Sequence, residues 1–267
     1  MRKRVFSAAA LLLCLLLCAC SGAVKKENTV FSVDDLPGKK IAVRIKTTAD
    51  DYASAYENDG SNTKILRFEE WDMAVNALLQ GRADCVVLDQ KVAEAFTRRY
   101  GGLRILEDIF QDEKYGICIA KDRPELLEAF NEALKDLKKE KTLESITRHY
   151  LAEERPEEPW YVTPPDTAYP NGKLILATIS DFEPYEYYAE GKLIGIDIDL
   201  ARAIADRLGY ELEITEMIFS KLVDSVTEHR ADFGMAGLTV TEERMERVSF
   251  TEPYATERQV ILVRDTK

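Results

Sequence analysis

Between Ile41 and Tyr100 short apolar runs alternate with helical patterns, and that alternation limits the folds open to this chain more than any other feature. Ile41-Ala-Val-Arg-Ile45, Thr63 to Phe68 and Cys85 to Leu88 read as strands. Asp51 to Tyr56, Glu69 to Gln80 and Gln90 to Tyr100 read as helices, and Trp71, Val75, Leu78 and Leu79 recur at helical spacing. Strands alternating with helices make βαβ units around a parallel sheet. Ligands of such sheets sit outside the carboxyl ends of the strands, where Thr47, Thr48 and Asp89 fall. A strand-like run from Tyr115 to Ala120 and helices over Pro124 to Lys138 and Lys141 to Tyr150 follow. Residues 153–172 are Pro-rich and acidic and read as a linker.

The alternation resumes at Lys173. Lys173 to Ile179 is a strand, Ser180 to Tyr187 an aromatic loop, and Leu200 to Leu208 a helix closed by Gly209. Strand Glu211 to Met217, helix Ser220 to His229 and strand Phe233 to Ala236 follow, with strand-like Val248 to Phe250 and Arg258 to Val263 at the end. The stretch Met235-Ala-Gly-Leu-Thr-Val-Thr-Glu-Glu-Arg244 carries the most chemistry. Thr241 and the acids after it read as a helix N-terminus. Gly237 lets a ligand approach the backbone, Thr239 offers a hydroxyl, and Arg244 presents a fork suited to a carboxylate. Taken alone, the same residues also describe an ordinary strand-to-helix turn with a solvated arginine.

The 267 residues suit one large or two small domains, and 46% hydrophobic content suffices for a core. Met1-Arg-Lys-Arg4 followed by apolar Val5 to Leu17 has the make-up of a secretory signal over residues 1–19. Leu17-Cys-Ala-Cys20-Ser21 resembles a bacterial lipobox, so Cys20 is the expected lipidated residue and 20–36 a tether on the outer face of the cytoplasmic membrane. Removing residues 1–19 takes away three positive charges, so −12 becomes −15, and no basic face is left for nucleic acid. Cys85 and Cys118 lie in apolar runs and read as buried thiols, with a disulfide left open. With His149 and His229 apart and no Cys/His cluster, no metal site is expected, and no cofactor.

Taken together, these pieces resemble the polar amino-acid-binding proteins of ABC importers, the bacterial extracellular solute-binding proteins of family 3. The matching runs are Phe182-Glu-Pro-Tyr-Glu-Tyr187, Gly195-Ile-Asp-Ile-Asp-Leu200, Arg230 to Arg244 and Phe250-Thr-Glu-Pro-Tyr254. In the first half they are Asp35 to Val43, Thr47-Thr48, Gly81 to Asp89, Tyr115-Gly-Ile117 and Arg123 to Leu127. The resemblance implies an α/β, two-lobed type II periplasmic-binding-protein fold. Its blocks stand in exchanged order, the usual end near Leu151 being joined through the linker to the usual beginning near Lys173, which implies a circular permutation. The expected lobes are 37–115, corresponding to the family's second, and 116–267, corresponding to its first. A single crossover near Tyr115 would join them, with residues 24–36 free to pair with the last strand.

The resemblance also implies roles. Arg244 would clasp the α-carboxylate of a free amino acid, helped by Thr48 beside Thr47. Asp89 would pair with the ammonium, with Gly237 and Thr239 supplying acceptors, and an N-cap role for Asp89 stays open. Phe182 and Phe219 would sandwich the ligand side chain, while Tyr185 and Tyr187 pack. Two departures bear on specificity. Ile179 stands where relatives holding basic or amide side chains often carry Asp, and Arg44 can face the side-chain pocket, which favours a polar neutral or acidic amino acid. Lys46 replaces the family's glycine before Thr-Thr and questions that loop's geometry. The expected function is non-enzymatic capture and delivery to an ABC permease. A sensing module that signals to a partner and a cyclic-acid dehydratase of the same fold are the alternatives, the latter favoured by a carboxyl with a strongly raised pKa in the cleft.

Overall fold

A computed structural model describes residues 27–265, so the expected signal over residues 1–19 and the expected lipidation at Cys20 lie outside the described residues. The first part of the chain forms β1 (Lys40–Arg44), α1 (Thr48–Ser54), β2 (Lys64–Phe68), α2 (Trp71–Leu79), β3 (Cys85–Asp89), α3 (Gln90–Arg99) and β4 (Leu103–Tyr115). Next come β5 (Cys118–Ala120), α4 (Pro124–Lys139) and α5 (Thr142–Tyr150). After the linker the chain forms β6 (Lys173–Thr178), β7 (Asp181–Phe182), β8 (Glu186–Ala189), β9 (Lys192–Ile194) and α6 (Ile196–Arg207). It ends in β10 (Glu211–Glu216), α7 (Leu222–Thr227), β11 (Phe233–Gly234), α8 (Glu242–Met245), β12 (Val248–Phe250) and β13 (Ala255–Arg264).

Two five-stranded sheets share one plan. Their orders are β2-β1-β3-β13-β4 and β10-β6-β11-β5-β12. In each, three strands run parallel and the fourth in the order runs antiparallel to both of its neighbours. That antiparallel strand comes from the other part of the chain, β13 in the first sheet and β5 in the second. The lobes are therefore linked twice, between Tyr115 and Cys118 and between Phe250 and Ala255.

This corrects the expected division at 116–267 and the single crossover, because residues 255–264 belong to the lobe begun at residue 37. The physical reason is burial on both faces. Ile261 and Val263 join Ile41, Val43, Cys85 and Val87 in one core, while Val260 and Leu262 join the larger one. An apolar run covered on both sides demands an interior position in a sheet. Nor do residues 27–36 pair with that strand. Val30 and Leu36 instead pack into the same core as Ile261 and Val263.

Residues 153–172 form no helix or strand yet are strapped to the second lobe. Arg155 pairs with Glu183 at 2.9 Å and stacks over Tyr187 at 4.5 Å, and the Tyr187 hydroxyl donates to Pro156 O. Buried Asp199 accepts the amides of Trp160 and Tyr161 and the Tyr150 hydroxyl. Cys85 and Cys118 are buried free thiols in different sheets. Among the described residues no helix is long and apolar enough to cross a membrane.

Candidate functional site

The carboxyl ends of the two sheets meet across one narrow cavity. All nine residues singled out in the sequence, Arg44, Thr47, Thr48, Asp89, Phe182, Phe219, Gly237, Thr239 and Arg244, line it. Trp71, Glu113, Ile179 and Ala236 complete the wall, and Glu113 had no sequence signal. The cavity is narrow, leaving little more room than a water molecule needs, so an amino acid enters only as the lobes part.

Each lobe contributes one pole. The Arg244 guanidinium donates to Thr239 O at 2.8 Å and, across the cleft, to Lys46 O at 3.0 Å. Phe219 lies against two guanidinium groups, with Arg44 at 5.3 Å and Arg244 at 5.6 Å from its ring centre. The negative face of the ring attracts both cations and fixes their orientation. Arg44, almost wholly buried, reaches Asp181 of the other lobe at 3.0 Å, and the Trp71 amide donates to the same carboxylate.

Lys46 takes a left-handed φ of 60°. The loop thus keeps the geometry glycine would supply, at a cost of about 1 kcal/mol. Its amide donates to Asp50 at 3.2 Å, and its ammonium reaches Ser220 O across the cleft at 3.4 Å. Thr47 caps α1, its hydroxyl donating to Arg44 O and accepting the Asp50 amide. Thr48 accepts the Gln259 side-chain amide, which leaves its own proton free to turn toward Glu113.

At the other pole Asp89 makes no side-chain cap on α3, although it stands at that helix's N-cap. Its Oδ1 instead accepts the Tyr115 hydroxyl at 2.6 Å. Burial first, then the neighbouring Glu113 carboxyl, pushes the Asp89 carboxyl well above its ordinary range. Glu113 accepts the Thr239 hydroxyl across the cleft at 2.8 Å and is itself raised, mainly by burial.

Phe182 stacks on Tyr185 at 5.4 Å, behind Gly237. Gly237 has φ of +52°, and a Cβ there would lie 2.3 Å from the Phe182 ring, so only glycine lets that ring reach the cavity. The Gly237 amide donates to Asp197, which also accepts the Tyr254 hydroxyl. Burial pushes Asp197 up to about 7.

Because that value exceeds the unfolded one of 3.8, the folded form holds a proton that the unfolded chain has lost. Stability is expected to fall as pH rises from about 4 to about 7 and to level off above, by up to roughly 4 kcal/mol from this group. Glu186 and Asp89, also raised by burial, act in the same direction. Denaturant midpoints measured across that range test it, and Asp197→Asn should flatten the slope. A midpoint that rises with pH would contradict it.

Residues 174–267 match the bacterial extracellular solute-binding proteins, family 3. The matched segment is about a third of the chain. The arginine-binding extracellular protein ArtP of Bacillus subtilis (strain 168) is 36% identical over 90 residues, which cover 34% of this chain and 35% of ArtP. The cyclohexadienyl dehydratase of Pseudomonas aeruginosa is 32% identical over 85 residues, 32% of each chain. The arginine-bound form of domain 1 from TmArgBP aligns with 35% of this chain and 80% of its own, at 39% identity and a TM-score of 0.31. The chain spans about a third of the length of the curated solute-binding relatives it matches. Of the cavity wall, Ile179, Phe182, Phe219, Ala236, Gly237, Thr239 and Arg244 lie inside the family-matched segment, whereas Arg44, Thr47, Thr48, Trp71, Asp89 and Glu113 lie outside it. Among the described residues, no group of three or more His, Cys, Asp and Glu side chains could hold a metal ion.

Proposed function

We propose that the chain is an exported receptor that closes over one free amino acid and delivers it to an ABC permease, tethered by lipid on Cys20. The observation that carries this reading is the pairing in one cavity of a guanidinium from one lobe, Arg244, with a buried carboxyl from the other, Asp89. A zwitterion needs one fixed cation and one fixed anion, and a site sheltered from water strengthens both contacts. A ligand that touches both lobes also stabilises the closed state over the open one. Thr48, Gly237 and Thr239 surround the two poles, and Phe182 and Phe219 flank the side chain.

On the Ile179 and Arg44 side of the cavity a basic side chain meets no free counter-charge, since Asp181 is already paired with Arg44 and the other acids of the wall, Asp89 and Glu113, stand at the ammonium pole. The ligand is therefore a polar neutral or acidic amino acid, unlike the arginine for which ArtP is named. Circular permutation is part of the same proposal. Both sheets share one strand plan, and β13 finishes at the same end of its sheet at which β1 begins, one strand away across β3, with Leu262 beside Val86 and Ile41 beside Cys85. A short loop could join those ends without disturbing either sheet.

A thermal-shift screen of the mature chain against the common L-amino acids tests the reading. A ligand at about 100 times its Kd should add roughly 2.7 kcal/mol. Glutamine, asparagine, glutamate or aspartate should give the largest shift and lysine or arginine little. No shift with any amino acid would overturn the receptor reading.

One observation favours a second reading, a dehydratase acting on a cyclic acid. Asp89 and Glu113 are raised carboxyls in the cleft, and a carboxyl that keeps its proton near neutrality can act as a general acid. A zwitterion site without its ligand has the same raised carboxyls. Loss of water from a cyclohexadienyl acid, followed by the aromatic absorbance it creates, separates the two readings, and the receptor reading predicts none.

A further inference from the structure

The cavity holds one more buried acid than a zwitterion's ammonium requires. Asp89 and Glu113 both line it, with only 6% and 4% of their surfaces exposed. Asp89 comes from the end of β3 and Glu113 from β4, two residues before the crossover at Tyr115. Of the two cations in the same wall, Arg44 is paired with Asp181, and Arg244 directs its fork at the carbonyls of Thr239 and Lys46 rather than at Glu113. Thr239 occupies Glu113 Oε2, while Glu113 Oε1 is buried with no hydrogen bond of good geometry, the Thr48 hydroxyl and the Asp89 carboxyl being the polar groups beside it. A buried carboxyl oxygen without a donor is costly, and it offers a place for an N–H to bind.

Building on the receptor reading, we propose that Asp89 and Glu113 form a two-carboxyl cradle for the ligand's ammonium, sharing one proton until the ammonium displaces it. Each amino acid bound therefore releases up to one proton. Two carboxyls sharing a sheltered site cannot both ionise readily, so one keeps a proton. An arriving –NH3⁺ supplies a full positive charge and three donors to the same oxygens. Both carboxyls then ionise, and the displaced proton leaves to solvent with no covalent step.

The groups facing the pair set the direction. On the Asp89 side these are Tyr115, which donates to it, and Glu257, itself raised by burial and held by the Tyr185 hydroxyl and the Arg258 amide. On the Glu113 side Arg244 favours the charged form, with Asp51 and Tyr52 beyond it. Lys91 and Glu94 of α3 act on Glu257 with opposite sign. The acids outnumber the cations around Asp89, so the proton stays in the pair until another cation arrives.

Isothermal titration in phosphate and in Tris, two buffers of different ionisation heat, counts the protons released. The probes are the common L-amino acids, titrated singly into the mature chain. The wild type should release close to one proton per ligand near neutral pH. Its affinity should weaken on acidification by up to about tenfold per pH unit. Glu113→Gln should bind about tenfold more weakly, with little proton release and an affinity nearly flat in pH, and Glu113→Asp should restore the release.

Wild-type binding without proton release would overturn the cradle and leave the receptor reading standing. Undiminished release in a folded Glu113→Gln variant would do the same. Failure of every amino acid to bind the wild type would overturn both.

Discussion

Replacing Arg244 by alanine is expected to weaken amino-acid binding by roughly two to three orders of magnitude while the lobes still fold. The guanidinium is the cationic pole of the cavity, and removing one partner of a sheltered charge pair costs about 2–5 kcal/mol. It also bridges the lobes through Lys46 O, at 3.0 Å, so its loss weakens the closed state as well. No core element depends on it. α8 is a single turn whose start is capped by the Thr241 hydroxyl, which accepts the Arg244 amide, and any residue there retains that amide. Arg244→Lys should fall between, since an ammonium keeps the charge but cannot span two acceptors in a fixed plane. Titration calorimetry with the ligand found by screening measures both variants. Binding by Arg244→Ala within a few-fold of wild type would place the carboxylate elsewhere.

The largest expected effect on stability belongs to Gly195→Ala. Gly195 has φ of +140°, and a Cβ there would lie 2.0 Å from Tyr185 O and 2.4 Å from Tyr185 C. The obstacle is backbone, which cannot rotate aside as a side chain does. The same loop is pinned to the start of α6 by two bonds, the Ile196 amide to Pro184 O and the Asp197 amide to Tyr185 O. An added methyl must break that junction or distort it, and overpacking together with a disfavoured backbone amounts to about 3 kcal/mol or more. The damage should reach the cavity, because Asp197 holds the Gly237 amide and Tyr185 stacks on Phe182. Denaturant unfolding of the variant checks this, and a loss below about 0.5 kcal/mol, as at an ordinary surface site, would contradict it.

Much of this arrangement is legible in the chain before any coordinates. The periodic runs from Ile41 to Tyr100 and from Lys173 to Ala236 announce parallel sheets, because each apolar strand and amphipathic helix must bury its face locally. Asp89 and the two threonines stand at strand ends, where backbone geometry turns side chains toward a cleft, and Arg244 sits on the short helix that the Thr241 cap announces. What stays hidden depends on partners distant in sequence. β4 runs over thirteen residues but carries Glu107, Asp108, Asp112, Glu113 and Lys114, so its charged stretch reads as loop. Its strand character comes from pairing with β13, and Glu113 is invisible as a site residue for the same reason.

The destination of β13 is hidden too. An apolar run declares that it is buried, not which sheet buries it. Lys46 shows the reverse case, where a residue that disfavours the left-handed conformation adopts it because contacts to Asp50, Ser220 and Arg244 hold it there. The linker's composition suggests a free tether, whereas Asp199 and Glu183 bind it down through charges more than twenty residues away.

The most direct measurement is a crystal structure of the mature chain with the amino acid that gives the largest thermal shift. It should show that molecule between the sheets, its carboxylate on Arg244 and its ammonium within hydrogen-bonding distance of both Asp89 and Glu113. Density for the ligand on another surface, or an ammonium turned away from Asp89, would contradict the two-pole cleft from which the function is derived.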